Sequence, residues 1–300
     1  MSEPTVLVDD LVFPEGTRWH EGRLWFSDIH TGRVIAVEPG GAVEVMLEMH
    51  DDYPSGLGFL PDGSFVVAAI RTKQIRRVHK GRSSLLADLS AYPGDFINDM
   101  VTDGEGRTYV GTRPSVRVAA ERGADTVVLV RPDGSSEIAA RGVTGPNGMV
   151  LTPAGTLIVA ETHAFALTEF ERGADGRLGD RQTFADLSDR GLRPDGISFD
   201  ETGCVWAGVG HGGAAARIRR GGEILEQVAP LEGHWVLACV LGGADRRTLY
   251  MATVRTTLEG VGELDGPGSR AHDDHDRWVR SQSAGWIEQA RVDVAGAGTP

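Results

Sequence analysis

A chain of 300 residues with 30 basic and 43 acidic side chains carries a formal net charge of -13 and has a pI near 5.1. No run of Lys and Arg is long enough to track a phosphate backbone, which excludes nucleic acid as a partner. No apolar stretch is long enough to span a bilayer, and the first ten residues lack the basic flank and apolar core of a signal peptide, so a cytoplasmic protein with no membrane partner is expected.

In chain order, short apolar runs alternate with Gly, Pro and Asp turns, and almost nothing repeats at helical period. The first unit reads as strands over residues 16–20, 23–28, 33–37 and 43–47, punctuated by Glu21-Gly22, Thr31-Gly32 and Pro39-Gly40-Gly41. A second unit repeats the plan over residues 57–60, 64–69, 74–78 and 84–87, with Pro61-Asp62-Gly63 as its first turn. Asp103-Gly104, Asp133-Gly134, Ala154-Gly155 and Thr202-Gly203 continue the punctuation, because these doublets supply the positive φ that tight hairpins need. Gly210 to Gly213 is read as a loop, since no helix signal follows it to make a phosphate cradle. Cys204 and Cys239 each lie inside an apolar strand-like run and read as small buried hydrophobes.

The last unit has strands near residues 249–253 and 284–294, separated by a Gly-, Asp- and His-rich loop insertion over 259–282. His272 and His275 in that insertion do not make a defined metal shell, because adjacent residues of a loop rarely do. The N-terminal strand, residues 5–8, has no partner nearby in sequence and pairs into the last unit, leaving no open sheet edge. Four strands per unit and six units predict an all-β, six-bladed β-propeller over residues 1–300 as one domain.

The period is set by short anchors: Pro14-Glu15-Gly16, Pro54-Ser55-Gly56, Ile97-Asn98-Asp99, Pro146-Asn147-Gly148, Pro194-Asp195-Gly196 and, more faintly, Val236-Leu237-Ala238. Their central residues follow one another at steps of 40, 43, 49, 48 and 42. That one position carries Glu15, Asn98, Asn147 and Asp195 in four of six units, and a radial array brings such positions together at the channel entrance. Taken singly, each is a turn residue capping nearby backbone. Four in register offer hard oxygen donors without thiolate or imidazole, a set that suits one divalent ion: Ca²⁺, Mg²⁺, Mn²⁺ or, in a water-exposed channel, Zn²⁺.

An ion there polarises a carbonyl and lowers the pKa of bound water while a carboxylate takes the proton, which suits hydrolysis of an ester or lactone. No Gly-x-Ser-x-Gly elbow supports a serine mechanism. His20, His163, His211 and His234 are scattered, and His163, just after the strand at 157–161, is placed nearest the mouth.

The same segments resemble the family of senescence marker protein, gluconolactonase and luciferin-regenerating enzyme. The resemblance rests on Pro14-Glu15-Gly16 with residues 19–28, Asn98-Asp99-Met100-Val101, residues 103–106, Gly145-Pro146-Asn147-Gly148-Met149, Ala160-Glu161-Thr162, Pro194-Asp195-Gly196, Leu241-Gly242-Gly243 and residues 246–249, in order over nearly the full length. It implies a six-bladed propeller with one divalent ion held by Glu15, Asn147 and Asp195, with Asn98 beside it on water or substrate. It also implies that Asp195 doubles as general base and that the substrate is a small lactone.

The sugar-lactone members carry an Arg two residues before the third-blade Asn, and this chain has Phe96. An apolar ring there favours a less polar substrate body than a sugar lactone, with Trp235 and Phe165 adding to an apolar mouth. Phe96 also leaves open an isomerisation, cyclisation or dehydration at the same site. A binding propeller without catalysis is the third alternative.

Overall fold

The computed structural model describes residues 3–113, 125–210, 213–256 and 278–298. Strand β1 (Thr5–Leu11) precedes a first blade of β2 (Pro14–His20), β3 (Arg23–Asp28), β4 (Arg33–Val37) and β5 (Val43–Glu48). Blade two is β6 (Pro54–Phe59), β7 (Phe65–Ala69), β8 (Gln74–His79) and β9 (Arg82–Asp88). Blade three is β10 (Phe96–Thr102), β11 (Thr108–Arg113), β12 (Asp125–Val130) and β13 (Ser136–Val143). Blade four is β14 (Pro146–Leu151), β15 (Leu157–Glu161), β16 (Ala166–Arg172) and β17 (Leu178–Asp186). Blade five is β18 (Pro194–Phe199), β19 (Val205–Val209), β20 (Ala215–Ile218) and β21 (Ile224–Val228), and blade six is β22 (Trp235–Gly242), β23 (Thr248–Arg255) and β24 (Ala284–Arg291).

The described residues thus form six four-stranded antiparallel sheets, and the sixth has the order β1-β24-β23-β22. The N-terminal strand therefore completes the last blade as the sequence predicts, extending to Leu11, and closes the ring. The blades adhere through apolar clusters shared by neighbours, such as Val150, Ile158 and Leu167 of blade four against Ile197, Val205 and Ile218 of blade five. Cys204 and Cys239 are buried free thiols, and burial pushes Cys239 up to about 12. Among the described residues no helix is long and apolar enough to cross a membrane.

Most of the insertion expected at 259–282, including His272 and His275, lies outside the described residues, as does His211. Residues 278–282 form a short helical turn rather than a loop. Arg280 ties it to the His30 carbonyl at 2.6 Å, and Val279 is fully buried.

Each innermost strand breaks register with its neighbour at the same place. The shifts fall between Glu15 and Arg18, Pro54 and Leu57, Ile97 and Met100, Pro146 and Met149, Pro194 and Ile197, and Val236 and Ala238. A bulge of this kind re-aims a side chain without ending the strand. The recurrent position, polar on all blades but the sixth, lies inside or immediately beside the bulge on every blade, which explains how residues at a strand entrance turn toward the axis.

The glycine that follows has a different cause. A Cβ on Gly148 would lie 2.4 Å from the Asp195 carbonyl oxygen, and one on Gly196 would lie 2.3 Å from the Ala238 Cβ. At these two positions the inner strands pack too closely near the axis for any side chain.

Candidate active site

The inner strands begin, and the second strands end, at the same face of the ring, so one channel mouth collects residues from all six blades. Two of the four oxygen-bearing positions, Asn98 and Asn147, are linked and held by hydrogen bonds around the ring. The Ser55 hydroxyl donates to Asn98 Oδ1 at 3.4 Å, and Asn98 Nδ2 donates to Asn147 Oδ1 at 2.9 Å. Asn147 Nδ2 donates to Thr162 Oγ1 at 3.2 Å, and that hydroxyl donates to the Pro194 carbonyl at 2.8 Å. Thr162 therefore fixes which end of the Asn147 amide faces Asn98, a positioning role that the sequence reading missed although Ala160-Glu161-Thr162 lay within the resemblance.

Glu15 and Asp195 face this chain of amides from blades one and five. Burial, then the nearby carboxylates of Asp195 and Asp99, push the Glu15 carboxyl well above the ordinary carboxylate range. The Gly16 N–H, 3.0 Å from Glu15 Oε2, and the Arg113 guanidinium act in the opposite direction without prevailing.

Directly beneath, Arg18 of blade one reaches Asp99 of blade three, with Nη2 3.0 Å from Oδ1, and also donates to the Met100 and Thr17 carbonyls. Both side chains are buried, so an ion pair crosses the ring just under the polar positions. Its partners are 81 residues apart, and no local pattern announces the pair.

The mouth has two unlike halves. Phe13, Ile29, Tyr53, Leu237 and Val254, with Trp235 packed against them, make an apolar crescent over blades six, one and two. Trp235 is half-buried there, so it both packs and remains accessible. Blades three to five supply Asn98, Asn147, Asp195 and, half-buried beside them, His163, whose ring packs on Gly145, where a Cβ would lie 2.6 Å from His163 Cδ2.

Phe96 departs from the expected apolar wall. It is only 4% exposed, and the Arg113 guanidinium lies 5.7 Å over its ring. The two residues are register partners on β10 and β11, so the strand that follows Phe96 covers it with a cation.

Several acidic residues around the mouth serve as loop anchors. Asp28 accepts from the Val12 and Phe13 N–H groups, Asp52 from the Tyr53, Arg71 and Thr72 N–H groups, and Glu161 from Thr144 N–H and Arg181. Glu288 accepts from Leu231 N–H, Thr253 and His234 Nδ1 at 2.7 Å, which gives His234 a structural partner. His20 stacks on Phe59 at 3.6 Å at the far end of β2, away from this mouth.

The donor set fits a divalent cation. Among the described residues no three His, Cys, Asp or Glu side chains gather as a metal shell. What gathers is two carboxylates with amide oxygens, and the charge crowding on Glu15 is what a cation relieves.

A closed six-bladed propeller with converging carboxylate and amide oxygens at one mouth defines the class of protein. The chain belongs to the SMP-30/gluconolactonase/LRE-like family, whose model matches residues 13–255. It is 26% identical over 280 residues to a 6-deoxy-6-sulfogluconolactonase of Pseudomonas putida, covering 92% of this chain and 89% of that protein. It is 29% identical over 292 residues to the pentonolactonase XacC of Haloferax volcanii, covering 95% and 92%. The crystal structure of a calcium-binding protein, regucalcin, from Agrobacterium tumefaciens superposes with a TM-score of 0.75 at 20% identity, over 100% of this chain and 96% of that one.

Proposed function

We propose that this protein hydrolyses a small lactone at the polar half of the mouth, with a divalent cation held by Glu15, Asn147 and Asp195. The observation that carries the reading is the convergence of Glu15 and Asp195 on the fixed amides of Asn98 and Asn147. Kinship with two proteins named as lactonases supports it.

A bound divalent ion supplies charge that polarises the lactone carbonyl and makes water more acidic. Asp195 takes the proton of the attacking water as its oxygen bonds to the carbonyl carbon. As the ring C–O bond breaks, Asp195 returns that proton to the leaving ring oxygen, and the product is the open hydroxy acid. Asn98 orients the substrate through its amide, and the half-buried Trp235, backed by the buried crescent, packs the apolar face of the lactone ring.

The test is acid release from a panel of aldonolactones, followed with a pH indicator, before and after chelation and after return of Ca²⁺, Mn²⁺, Mg²⁺ or Zn²⁺. Chelation abolishes turnover and at least one of these ions restores it. Turnover that survives Asp195→Ala undiminished rejects the mechanism.

A further inference from the structure

We propose that Lys73 is a positioning residue for Asn98: its ammonium fills a monovalent-cation site made of three backbone carbonyls, and so fixes the segment that leads from blade two into the inner strand of blade three. The inference rests on the proposed function only for what Asn98 does, and the carbonyl site stands on geometry.

Lys73 ends the turn between β7 and β8, at the face of the mouth, and is only 7% exposed. Its Nζ donates to the carbonyls of Tyr92 and Gly94, each at 2.7 Å, and to that of Ser90 at 3.5 Å. An ammonium has three N–H donors and no acceptor, so this one group matches three carbonyls. Residues 90–95 belong to no strand, and among the described residues no backbone N–H donates to those three oxygens. The lysine therefore satisfies groups that a ladder would otherwise pair. Carbonyl oxygens that converge in this way replace the hydration shell of a cation such as K⁺. Here the cation is tethered to the chain.

The backbone of Lys73 has φ +53, a left-handed conformation that glycine adopts freely and lysine uncommonly. Glycine would serve the turn alone, and what lysine adds is the ammonium. The Lys73 carbonyl also accepts from Leu89 N–H at 2.8 Å, so the residue holds the segment at its start as well as along its length. Burial pulls Lys73 below the ordinary lysine range, and the carboxylates of Asp95 and Asp88 act against that pull.

Blade three confines the other side of the segment. Asp95 N–H donates to the Arg113 carbonyl at 2.8 Å, and a Cβ on Gly94 would lie 2.9 Å from the same oxygen. The Tyr92 hydroxyl donates to Ser136 Oγ on β13 at 2.9 Å. Beyond Asp95, Ile97 N–H reaches the carbonyl of Ile70, in the turn that Lys73 ends, at 3.4 Å. Asn98 comes next and donates to Asn147 at 2.9 Å. Slack at the carbonyl site therefore passes to both amides of the polar half. A planar guanidinium cannot aim its donors at one cluster of carbonyls, so arginine is no substitute.

Lys73→Ala empties the site, and small cations refill it. Crystals of the variant soaked in Rb⁺ place that ion, by its anomalous scattering, among the three carbonyls. The Asn98–Asn147 hydrogen bond, lengthened in sodium chloride, returns with ammonium or Rb⁺. In solution the unfolding midpoint falls, and kcat/KM on the aldonolactone panel falls about tenfold. Ammonium and methylammonium restore both, whereas tetramethylammonium, equal in charge but without N–H, restores neither. Lys73→Met keeps the stem without the donors and loses kcat/KM with no rescue. Lys80→Ala, at an exposed hairpin of the same blade, is the control and responds to none of these salts.

If Lys73→Ala does not fold in sodium chloride, folding in methylammonium but not in tetramethylammonium upholds the site, and folding in neither overturns it. An undisplaced Asn98 in Lys73→Ala, or equal rescue by ammonium and tetramethylammonium, overturns the proposal even where the parent hydrolyses lactones. Rescue of the midpoint and of the Asn98–Asn147 bond, in a protein that turns over no lactone, upholds the positioning role and rejects the lactonase reading.

Discussion

Replacing Gly148 with Ala tests whether the close approach of inner strands holds the site together. The added Cβ would lie 2.4 Å from the Asp195 carbonyl oxygen, 2.6 Å from Ile197 N and 2.7 Å from Gly196 Cα, all of them backbone atoms. Ordinary contact needs about 1 Å more, and no side-chain rotation can supply it. Blades four and five must therefore part at the residues that follow Asn147 and Asp195. Overpacking of this kind costs about 3 kcal/mol, which lowers the unfolding midpoint by about 6 °C at roughly 2 °C per kcal/mol for a chain of this size. A shift of about 1 Å between Asn147 and Asp195 costs on the order of a hundredfold in turnover.

Gly104→Ala is the control, because its Cβ meets nothing within 4 Å and its φ is ordinary. It is expected to be neutral or slightly stabilising, within about 1 kcal/mol. Thermal unfolding with cation titration reads both variants. If Gly148→Ala unfolds within 1 °C of the parent and keeps its cation affinity, the packing argument is wrong.

Four further outcomes are expected. Asp99→Ala leaves Arg18 buried without its carboxylate and costs about 3–5 kcal/mol, whereas the double replacement of Arg18 by Met and Asp99 by Leu recovers most of that in urea unfolding. Thr162→Val removes the acceptor that orients Asn147 and lowers cation affinity about tenfold to a hundredfold by calorimetry, with little change in fold. Glu15 titrates above the ordinary carboxylate range, so the folded chelated protein holds a proton that the unfolded chain has released. Its stability therefore falls as pH rises through the raised pKa, and Glu15→Gln or saturating cation flattens that slope in midpoint-versus-pH curves. The cation competes with the same proton, so its affinity weakens on acidification, and a titration that shows pH-independent affinity from neutral to mildly acidic conditions refutes the assignment of Glu15.

The blades were legible because turn chemistry is local. Gly22, Gly63, Gly134, Gly155 and Gly203 all adopt positive φ, at the doublets where the sequence places hairpins, whereas at Asp103-Gly104 the positive φ falls two residues later, on Gly106. Ring closure by β1 was legible because an orphan strand and a three-stranded last blade complete each other. The Arg18–Asp99 pair was not legible, since only the curvature of the ring brings blade one against blade three. Arg113 escaped for a similar reason. Its position over Phe96 follows from the β10–β11 register, and the ring that sequence reading gave to the substrate is buried under it. Asp28, Asp52, Glu161 and Glu288 resemble Glu15 and Asp195 as letters. Asp28, Asp52, Glu161 and Glu288 each accept from a backbone N–H group distant in sequence, whereas Glu15 accepts from that of its own neighbour Gly16, and the fold alone brings those distant groups near.

The breaks in the repeat also explain one another. Blades one, two, four and five follow the recurrent position with glycine, and blade three has Asp99 instead. A Cβ on Gly56 would lie 2.8 Å from Asp99 Oδ1 and 2.4 Å from Met100 N, so the glycine of blade two makes room for the carboxylate of blade three. That carboxylate anchors Arg18, whose own strand also carries Glu15, and Asp99 in turn raises the proton affinity of Glu15. Gly56 therefore acts on the site through two other blades, without contributing an atom to it. Gly56→Ala is expected to disturb cation binding at Glu15 as well as stability, whereas a glycine that served only its own turn would affect stability alone.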